Sequence, residues 1–252
     1  MLFFVGCMLP YLAAAVFLIG MTWRTASWLA RPVPFALALD PGQCGATRRA
    51  ATITGELLLL KSLYRGDRRL WLWAGLMHGS LASIILGHVV GIGWAGRQFT
   101  VLGISSAAST ALSRGLGVVF GLLLLVSVIA LLYRRLVVRH VRTLSDPADY
   151  FDLALLVAIA TTGMLMRLAP FEPDQSAVRT YLYGLLTLSP TAIPGNWIFI
   201  GHFALVSILL TYFPFSKLVH VTGGVVSRAL VAAPARRSAI GPDARADAAS
   251  LR

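Results

Sequence analysis

The sequence has few charged residues and almost no cysteine. Charged side chains make up 13% of its 252 residues, about half of the roughly 25% that is usual in soluble domains. Its two cysteines, Cys7 and Cys44, are far apart and form no CxxC motif. Covalent c-type haem and cysteine-ligated iron–sulfur clusters therefore have no support. The shortage of charge also argues against a soluble Rossmann or TIM-barrel enzyme.

Apolar residues fill the chain instead. They account for 57% of it, and the mean hydropathy is +0.76. Several runs reach the roughly 20 residues that cross a bilayer as a helix. The first run has no basic segment before it, which favours a retained span over a cleaved signal peptide. We expect an all-α integral membrane protein, a five-transmembrane-helix bundle with spans at 2–22, 71–93, 115–133, 151–169 and 197–219. Residues 1–228 would form the membrane domain, and residues 229–252 a disordered cytoplasmic tail.

The distribution of cations predicts the orientation of these spans. Segments 22–70, 134–150 and 217–252 hold 8, 4 and 6 Lys and Arg, which is 18 of the 22 in the chain. By the positive-inside rule the N-terminus lies outside and the C-terminus lies in the cytoplasm. The net charge of +12 thus reflects topology in the cell inner membrane, and nucleic acid is not an expected partner. Within the long inner loop, residues 53–64 read as a short amphipathic helix at the interface.

Histidines are the candidate ligands. His78 and His88 fall in the second span, and His202 and His220 in the fifth, whereas His140 lies in a basic loop and reads as solvated. A single intramembrane histidine is more often a hydrogen-bonded core residue, but two pairs favour metal or haem ligation. Because the two spans run in opposite directions, His78 shares a level with His220, and His88 with His202. Each pair can hold one iron from opposite sides, which predicts two b-type haems.

The spacing within the two spans is unequal. Ten residues separate His78 from His88, a rise of about 15 Å, and eighteen separate His202 from His220, about 27 Å. Eighteen residues make five whole turns, so on a continuous helix His202 and His220 point the same way. Tilted helices, slanted haem planes or a bend near Pro214 would each reconcile the two rises, and the sequence leaves all three open.

Small residues accompany the histidines of the second span. Gly75, Gly79, Gly87 and Gly91 follow one another at multiples of four residues. Such a stripe lets a flat macrocycle approach the backbone, or lets another helix pack closely. We give the two interpretations equal weight.

Several segments resemble a known family. GLMHGSLASIILGHVVG and FPFSKLVH resemble the cytochrome b (gamma) subunits of respiratory nitrate reductase. LKSLYRGDRRLWLW, RRLVVRHVRTLSDPADYF, TGMLMR, LLTLSPTAIP and YFPFSKLVH are more similar to a sister branch, the DsrM-type subunits of the Dsr sulfur-metabolism complex. The resemblance extends from about Lys61 to Val226. Gly87, directly before His88, stands where some relatives in sulfate reducers carry a basic residue. The surroundings of a haem bound by His88 would therefore differ from those in the relatives, although the ligand itself is present.

The resemblance implies an electron-transfer subunit of a quinone-interacting oxidoreductase complex. Its axial ligands would be His78 and His220 for the inner haem b, and His88 and His202 for the outer haem b. The implied partners are membrane quinone, a DsrK-like cytoplasmic iron–sulfur subunit related to heterodisulfide reductase, and the further subunits DsrJ, DsrO and DsrP. The alternatives are a nitrate reductase gamma subunit, a transporter and a structural membrane anchor.

Three charged residues near the predicted span ends complete the candidates. Arg114 and Arg167 are near the outer ends of the third and fourth spans and are candidates for a quinone site, although we favour interfacial anchoring for both. Asp152 lies near the inner start of the fourth span. We interpret it as a charge that interacts with the positive end of the helix dipole rather than as a proton relay.

Overall fold

The computed structural model describes residues 2–30, 51, 54–56, 59–94, 96–168, 170–220 and 222–224. Within this part of the chain there are helices and no strands. The α-helices are α1 (Leu9–Ala30), α2 (Lys61–Gly66), α3 (Arg68–Trp94), α4 (Ser106–Val137), α5 (Arg139–Thr143), α6 (Pro147–Leu165), α7 (Gln175–Leu186) and α8 (Trp197–Tyr212). A π-helical turn, Phe4–Met8, leads into α1, and 3₁₀ turns occupy Gln98–Leu102, Phe213–Phe215 and Lys217–Val219.

Five helical stretches are long and apolar enough to cross a membrane. They are Phe4–Ala30, Arg68–Gly91, Ser106–Val137, Pro147–Leu165 and Trp197–Phe215, which confirms the all-α class and the number of candidate spans. Because successive spans alternate in direction, residues 30, 68, 137, 147 and 215 mark one side of the bundle. We call that side the basic end, because its flanking segments hold most of the cations, and we call the other side the opposite end. Large apolar side chains such as Ile19, Leu86 and Val126 are exposed on the outside, as expected for a surface that faces lipid.

None of the five spans keeps its predicted bounds. The first runs on to Ala30, eight residues past its predicted end at 22, and the fourth, Pro147–Leu165, begins and ends four residues earlier than predicted. The helix α4 begins at Ser106, nine residues before the predicted start at 115, because the Ser105 side chain accepts a hydrogen bond from the Ala108 N–H at 3.2 Å and caps the helix. At the other end of the chain, α8 stops at Tyr212. We refer to residues 213–220 as the broken segment, because two 3₁₀ turns there are separated by an extended Ser216.

The broken segment corrects one prediction. A continuous helix through residue 219, with His202 and His220 pointing the same way, is wrong. Proline lacks the N–H that a continuing helix requires. The α-helix ends at Tyr212, a 3₁₀ turn occupies Phe213–Phe215, and the backbone becomes extended at Ser216. The helix therefore covers ten residues from His202 to Tyr212, a rise of about 15 Å that equals the rise from His78 to His88. Of the three explanations left open for the unequal spacing, the structure shows the break at Pro214.

Two other elements were not predicted in this form. The helix expected over 53–64 lies partly outside the described residues, and where it is described it is interrupted at Leu60, whose φ of 47° is left-handed. The amphipathic helix α7 was not predicted at all. Its Tyr181 is completely buried and donates a hydrogen bond to the carbonyl of Gly6 at 2.6 Å. The predicted disordered tail, 229–252, lies outside the described residues.

The spanning helices pack in a different order from their order in the chain. Neighbouring pairs are α3 with α4, α4 with α6, α6 with α8, and α8 with α1. The core joins α4 to α6 through buried Leu124, Val128, Leu156 and Ala160. Met77 and Leu81 of α3 and Leu209 of α8 pack against it from either side. Of the two histidine-bearing helices, α3 therefore packs against α4, and α8 packs against α6.

An ion pair at the basic end joins α3 to α4. The Asp67 carboxylate accepts from the Leu70 N–H at 2.9 Å, which caps α3, and also accepts from Arg134 at 2.9 Å. The backbone hydrogen bond, together with the Arg134 guanidinium, lowers the pKa of Asp67 below its ordinary value. The carboxylate thus stays ionised at neutral pH and fixes the level at which α3 begins.

The first helix holds the broken segment. The Arg24 guanidinium donates a hydrogen bond to the carbonyl of Pro214. A Cβ added at Gly20 would lie 2.7 Å from the Cβ of Pro214, and the rings of Phe17 and Phe213 have centroids 5.6 Å apart. This contact requires glycine at position 20, since any side chain would displace the proline.

We expect Gly20→Ala to destabilise the protein because its Cβ overlaps Pro214. Overpacking of this kind costs about 1–3 kcal/mol, a fall in the melting temperature of about 2–10 °C for a chain of this size. The matched control is Gly115→Ala in α4, where an added Cβ meets no described atom within 4 Å. Thermal unfolding in detergent checks the difference. Equal melting temperatures for the two variants would contradict the close contact between α1 and the broken segment.

Candidate functional site

Two imidazoles meet at the basic end of the bundle. The Nε2 atoms of His78 on α3 and His220 at the end of the broken segment are 3.4 Å apart. Their ring centroids are 5.7 Å apart and their planes are nearly perpendicular, at 87°. Two residues separated by 142 positions in the chain thus direct the same ring nitrogen towards one point.

All four candidate histidines are oriented in the same way. Each has its Nδ1 within hydrogen-bond distance of an oxygen, so that Nε2 is the nitrogen available to bind a metal. Such a second partner selects the Nδ1–H tautomer and orients the ring of a metal-ligating histidine. The partners are Ala74 O for His78 at 2.7 Å, Ile84 O for His88 at 2.8 Å, Lys217 O for His220 at 2.9 Å and Thr162 Oγ1 for His202 at 2.9 Å.

His202 is the one of the four that is held by a side chain of another helix. Thr162 of α6 donates its own hydroxyl hydrogen to the carbonyls of Ala158 and Ile159, at 2.9 and 3.0 Å, so its oxygen is free to accept from His202 Nδ1. Next to it, a Cβ added at Gly163 would lie 3.3 Å from Cε1 of His202. The pair Thr162 and Gly163 therefore sets both the rotation and the distance of this imidazole from α6.

The histidines of the second pair, His88 and His202, are not in contact with each other, unlike His78 and His220. Within the described residues no hydrogen bond or ring contact joins His88 to His202. His88 is exposed on α3, and His202 is partly buried. His140 lies exposed on the short helix α5 at the basic end, apart from both pairs, in agreement with the solvated role expected for it.

Lys217 anchors the broken segment to α6 beside His220. Its ammonium group donates to Asp146 at 2.6 Å and to Asp149 at 3.2 Å. These hydrogen bonds raise the pKa of Lys217 above its ordinary value, so the anchor is ionised throughout the physiological range. Because the Lys217 carbonyl also accepts from His220 Nδ1, the ion pairs of this lysine fix the position of the imidazole.

The donor set fits a metal whose other ligands come from a macrocycle. In the described part of the chain, no group of three or more His, Cys, Asp or Glu could hold a metal ion. Two imidazoles alone fall short of the four ligands of a typical protein zinc site, but they supply both axial positions of a haem. A metal bonds an imidazole nitrogen at about 2 Å, so one ion places two such nitrogens about 4 Å apart. The 3.4 Å between the Nε2 atoms of His78 and His220 is about 0.6 Å short of this distance.

The glycine stripe of α3 packs against no helix of the described chain. A Cβ added at Gly75, Gly79, Gly87 or Gly91 would meet no described atom within 4 Å, so close packing within this chain does not explain the stripe. Gly79 and Gly87 are exposed and lie about 100° around the helix from the adjacent histidines. Gly75 and Gly91 lie only about 60° from His78 and His88, so these two are the glycines of the stripe nearest the histidine face.

The two candidate arginines form one cluster at the opposite end. Arg114 pairs with Glu172, and the guanidinium of Arg167 lies over α4, where a Cβ added at Gly117 would be 2.7 Å from its Nη2. Arg167 also follows Gly163, the contact residue of His202, by four positions, about one helical turn.

Sequence reasoning missed three residues that position the imidazoles. Thr162 and Gly163 were quoted only as part of the TGMLMR segment, and Lys217 only as part of FPFSKLVH. Their roles arise from contacts between helices, which no periodicity within one segment reports. The single available signal was a hydroxyl and a glycine side by side near the C-terminal end of the fourth span.

Comparison with known proteins identifies relatives over most of the chain. The family model described as nitrate reductase gamma subunit matches residues 61–230. The Hdr-like menaquinol oxidoreductase cytochrome b-like subunit of Archaeoglobus fulgidus is 29% identical, over 86% of this chain and 76% of its own length. Its counterpart in Archaeoglobus profundus is 27% identical, over 85% and 74%. The nitrate reductase gamma chain of Bacillus subtilis is 25% identical, over 84% and 87%.

We expect Thr162→Val to weaken haem binding at the His88–His202 pair, because valine keeps the shape of threonine but cannot accept from His202 Nδ1. Loss of such an outer partner typically costs about 10–100-fold in metal affinity. Titration of haem into the apoprotein, followed by visible absorption, measures it. Thr161→Val, at an exposed neighbouring position, is the control. If the two valine variants bind haem alike, Thr162 does not position His202.

Proposed function

The chain belongs to the nitrate reductase gamma subunit family, and on this premise we propose that it is a dihaem cytochrome b that carries electrons between a membrane quinone and an iron–sulfur partner. The observation that carries the proposal is the approach of His78 and His220 to 3.4 Å through their free Nε2 atoms. The family match covers all four candidate histidines. Their Nδ1 atoms are all engaged elsewhere, which is the arrangement that iron ligation requires.

His78 and His220 would hold one haem b at the basic end, and His88 and His202 the other at the opposite end. A bound haem supplies a carrier for one electron at each level. The chain's own part is to fix the imidazoles from both sides and to keep water out of the region between the two levels. Water would be kept out by the apolar core on α4 and α6, against which Met77, Leu81 and Leu209 pack.

The orientation of the bundle follows from its charge. We propose that the basic end is cytoplasmic, that the N-terminus lies outside, and that the protein resides in the cell inner membrane, since cations accumulate on the cytoplasmic side of such proteins. An iron–sulfur partner would then dock at the basic end, beside the His78–His220 pair. The His88–His202 pair would lie nearer the quinone.

The relatives indicate the type of complex. Two of them are named as Hdr-like menaquinol oxidoreductase subunits, which supports menaquinol as the quinone substrate and a heterodisulfide reductase-like, DsrK-like partner. We propose a role in dissimilatory sulfur metabolism together with DsrJ, DsrO and DsrP. The alternative is quinol oxidation for a nitrate reductase, which the gamma chains of Bacillus subtilis and Escherichia coli K12 support at 25% and 28% identity. A gene for a molybdoenzyme beside this one would favour the alternative.

The quinone site is proposed at the Arg114–Arg167 cluster. Arg167 is the better candidate of the two, because Arg114 is already paired with Glu172 whereas Arg167 lies about one turn from the Gly163 contact with His202. A guanidinium in this position can donate hydrogen bonds to a quinone carbonyl oxygen. The alternative role is anchoring at the membrane interface, in which Arg167 does not contact the quinone.

Substitution of single ligands tests the haem assignment. We expect His202→Ala or His88→Ala to abolish one of two haem signals in the reduced-minus-oxidised spectrum and to spare the other, since each haem depends on its own pair. His220→Ala would remove the complementary signal. His140→Ala serves as the control and leaves both signals intact. Survival of both haems after loss of His202 would contradict the pairing.

Substitution of Arg167 tests the quinone site. We expect Arg167→Gln to raise KM for a menaquinol analogue about tenfold, because a hydrogen bond from a charged donor is worth about 1.5–3 kcal/mol and about 1.4 kcal/mol corresponds to tenfold. Both haem spectra should be unchanged. Arg97→Gln, at an exposed arginine of the same end, is the matched control. An unchanged KM would assign Arg167 to anchoring alone.

A further inference from the structure

Asp152 is a carboxyl group buried inside a membrane-spanning helix. It lies on α6, five residues after the helix begins at Pro147, and is only 5% exposed. Its Oδ1 is one of two buried side-chain atoms in the described chain that have no hydrogen-bond partner. An ionised carboxylate in such a position is costly unless it is paired.

Residues other than Asp152 cap the N-terminus of α6. Asp146 is the N-cap residue, and Asp149 completes a capping box with it, in which each side chain accepts a hydrogen bond from the other's backbone N–H. The first turn of the helix thus has its acidic partners without Asp152. The interpretation of Asp152 as a helix-end charge is therefore wrong, since it lies one turn further into the membrane than the residues that do this work.

The charges around Asp152 do not balance. The groups that face it from α4, from the broken segment and from its own helix are Arg135, Lys217 and Asp149. Arg135 and Lys217 both bind Asp149, each at 3.2 Å, and Lys217 also binds Asp146. Three carboxyl groups therefore share two cations, and the most deeply buried of the three has no cation of its own.

The remaining partner of Asp152 comes from α8. The hydroxyl of Tyr212, the last residue of that helix, favours the charged form of the carboxylate, and the Tyr212 ring packs edge-on against Phe151 with centroids 5.0 Å apart. This donor and the two cations favour the charged carboxylate, while burial and the negative charge of Asp149 favour the protonated acid. A further negative charge nearby would add to the influences that favour the protonated acid.

A haem held between His78 and His220 would bring such a charge when it is reduced. Lys217 links the two places, because its ammonium group holds Asp149 while its carbonyl accepts from His220 Nδ1 at 2.9 Å. An electron that arrives at the site between His78 and His220 adds negative charge at this end of the bundle. Added negative charge strengthens proton binding by a neighbouring carboxylate.

We propose that Asp152 is a proton-binding site coupled to the electron held at the His78–His220 level. When one electron arrives there, the Asp152 carboxylate takes one proton from the water at the basic end and forms an O–H bond. When the electron leaves, the proton returns. The inference rests on the proposed function, since it needs a redox group at that level, and it adds a proton path at the end of the protein away from the proposed quinone site.

Redox difference infrared spectroscopy of the purified haem-loaded protein tests the proposal. We expect a C=O stretching band of a protonated carboxyl group to appear on reduction and to shift in D₂O. Asp152→Asn should abolish the band, and Asp152→Glu should restore it at a shifted frequency. The midpoint potential of the haem that is lost in His220→Ala should depend on pH in the wild type and lose that dependence in Asp152→Asn.

The controls separate this inference from the haem assignment. Asp146→Asn, at an exposed carboxylate of the same network, should keep the band. Tyr212→Phe should shift the band without removing it, because it takes away a donor but leaves the acid. If both haems titrate normally while Asp152→Asn retains the band and the pH dependence, Asp152 is not the site, although the proposed function stands. If the protein binds no haem at all, the proposed function itself fails.

Discussion

The structure depends on how imidazoles are held inside an apolar bundle. A histidine can present Nε2 to a metal only when the proton on Nδ1 has a partner, and within a membrane that partner must come from the protein. Three of the four histidines use a carbonyl of their own helix or segment, and His202 uses Thr162 of α6. The break at Pro214, the glycine at position 20 and the ion pairs of Lys217 together place His220 beside His78.

The two levels of the bundle are built differently. At the basic end, α1 and α6 hold the broken segment through Arg24 and Lys217, so His220 is fixed by contacts outside its own helix. At the opposite end, His202 is part of a regular helix and is positioned by Thr162 and Gly163 of α6. The basic end also concentrates carboxylates and cations, among them Asp149, Arg135 and Lys217. The opposite end has instead the cluster of Arg114 and Arg167, where we propose that the quinone binds.

Hydropathy and charge were sufficient to predict five spans, because crossing a bilayer imposes length and composition on each helix separately. The level shared by His78 and His220 was also predictable, since it follows from chain direction alone. The end of α8 at Tyr212 was not, because Pro214 can kink a helix or end it, and the choice depends on Gly20 and Arg24 of another helix. The early start of α4 was readable from Ser105 as a cap, but the contacts of Thr162 and Gly163 with His202 were not, since they exist only after the helices pack. The ligand roles themselves stay predictions.

The haem content of the purified wild-type protein tests the central claim most directly. A pyridine haemochrome assay, with the protein concentration measured independently, gives the number and type of haems per chain. The account predicts two haems of the b type for each polypeptide, with reduced-minus-oxidised bands that titrate as two components. A colourless protein from haem-replete cells, or a single haem per chain, would contradict the assignment of two histidine pairs.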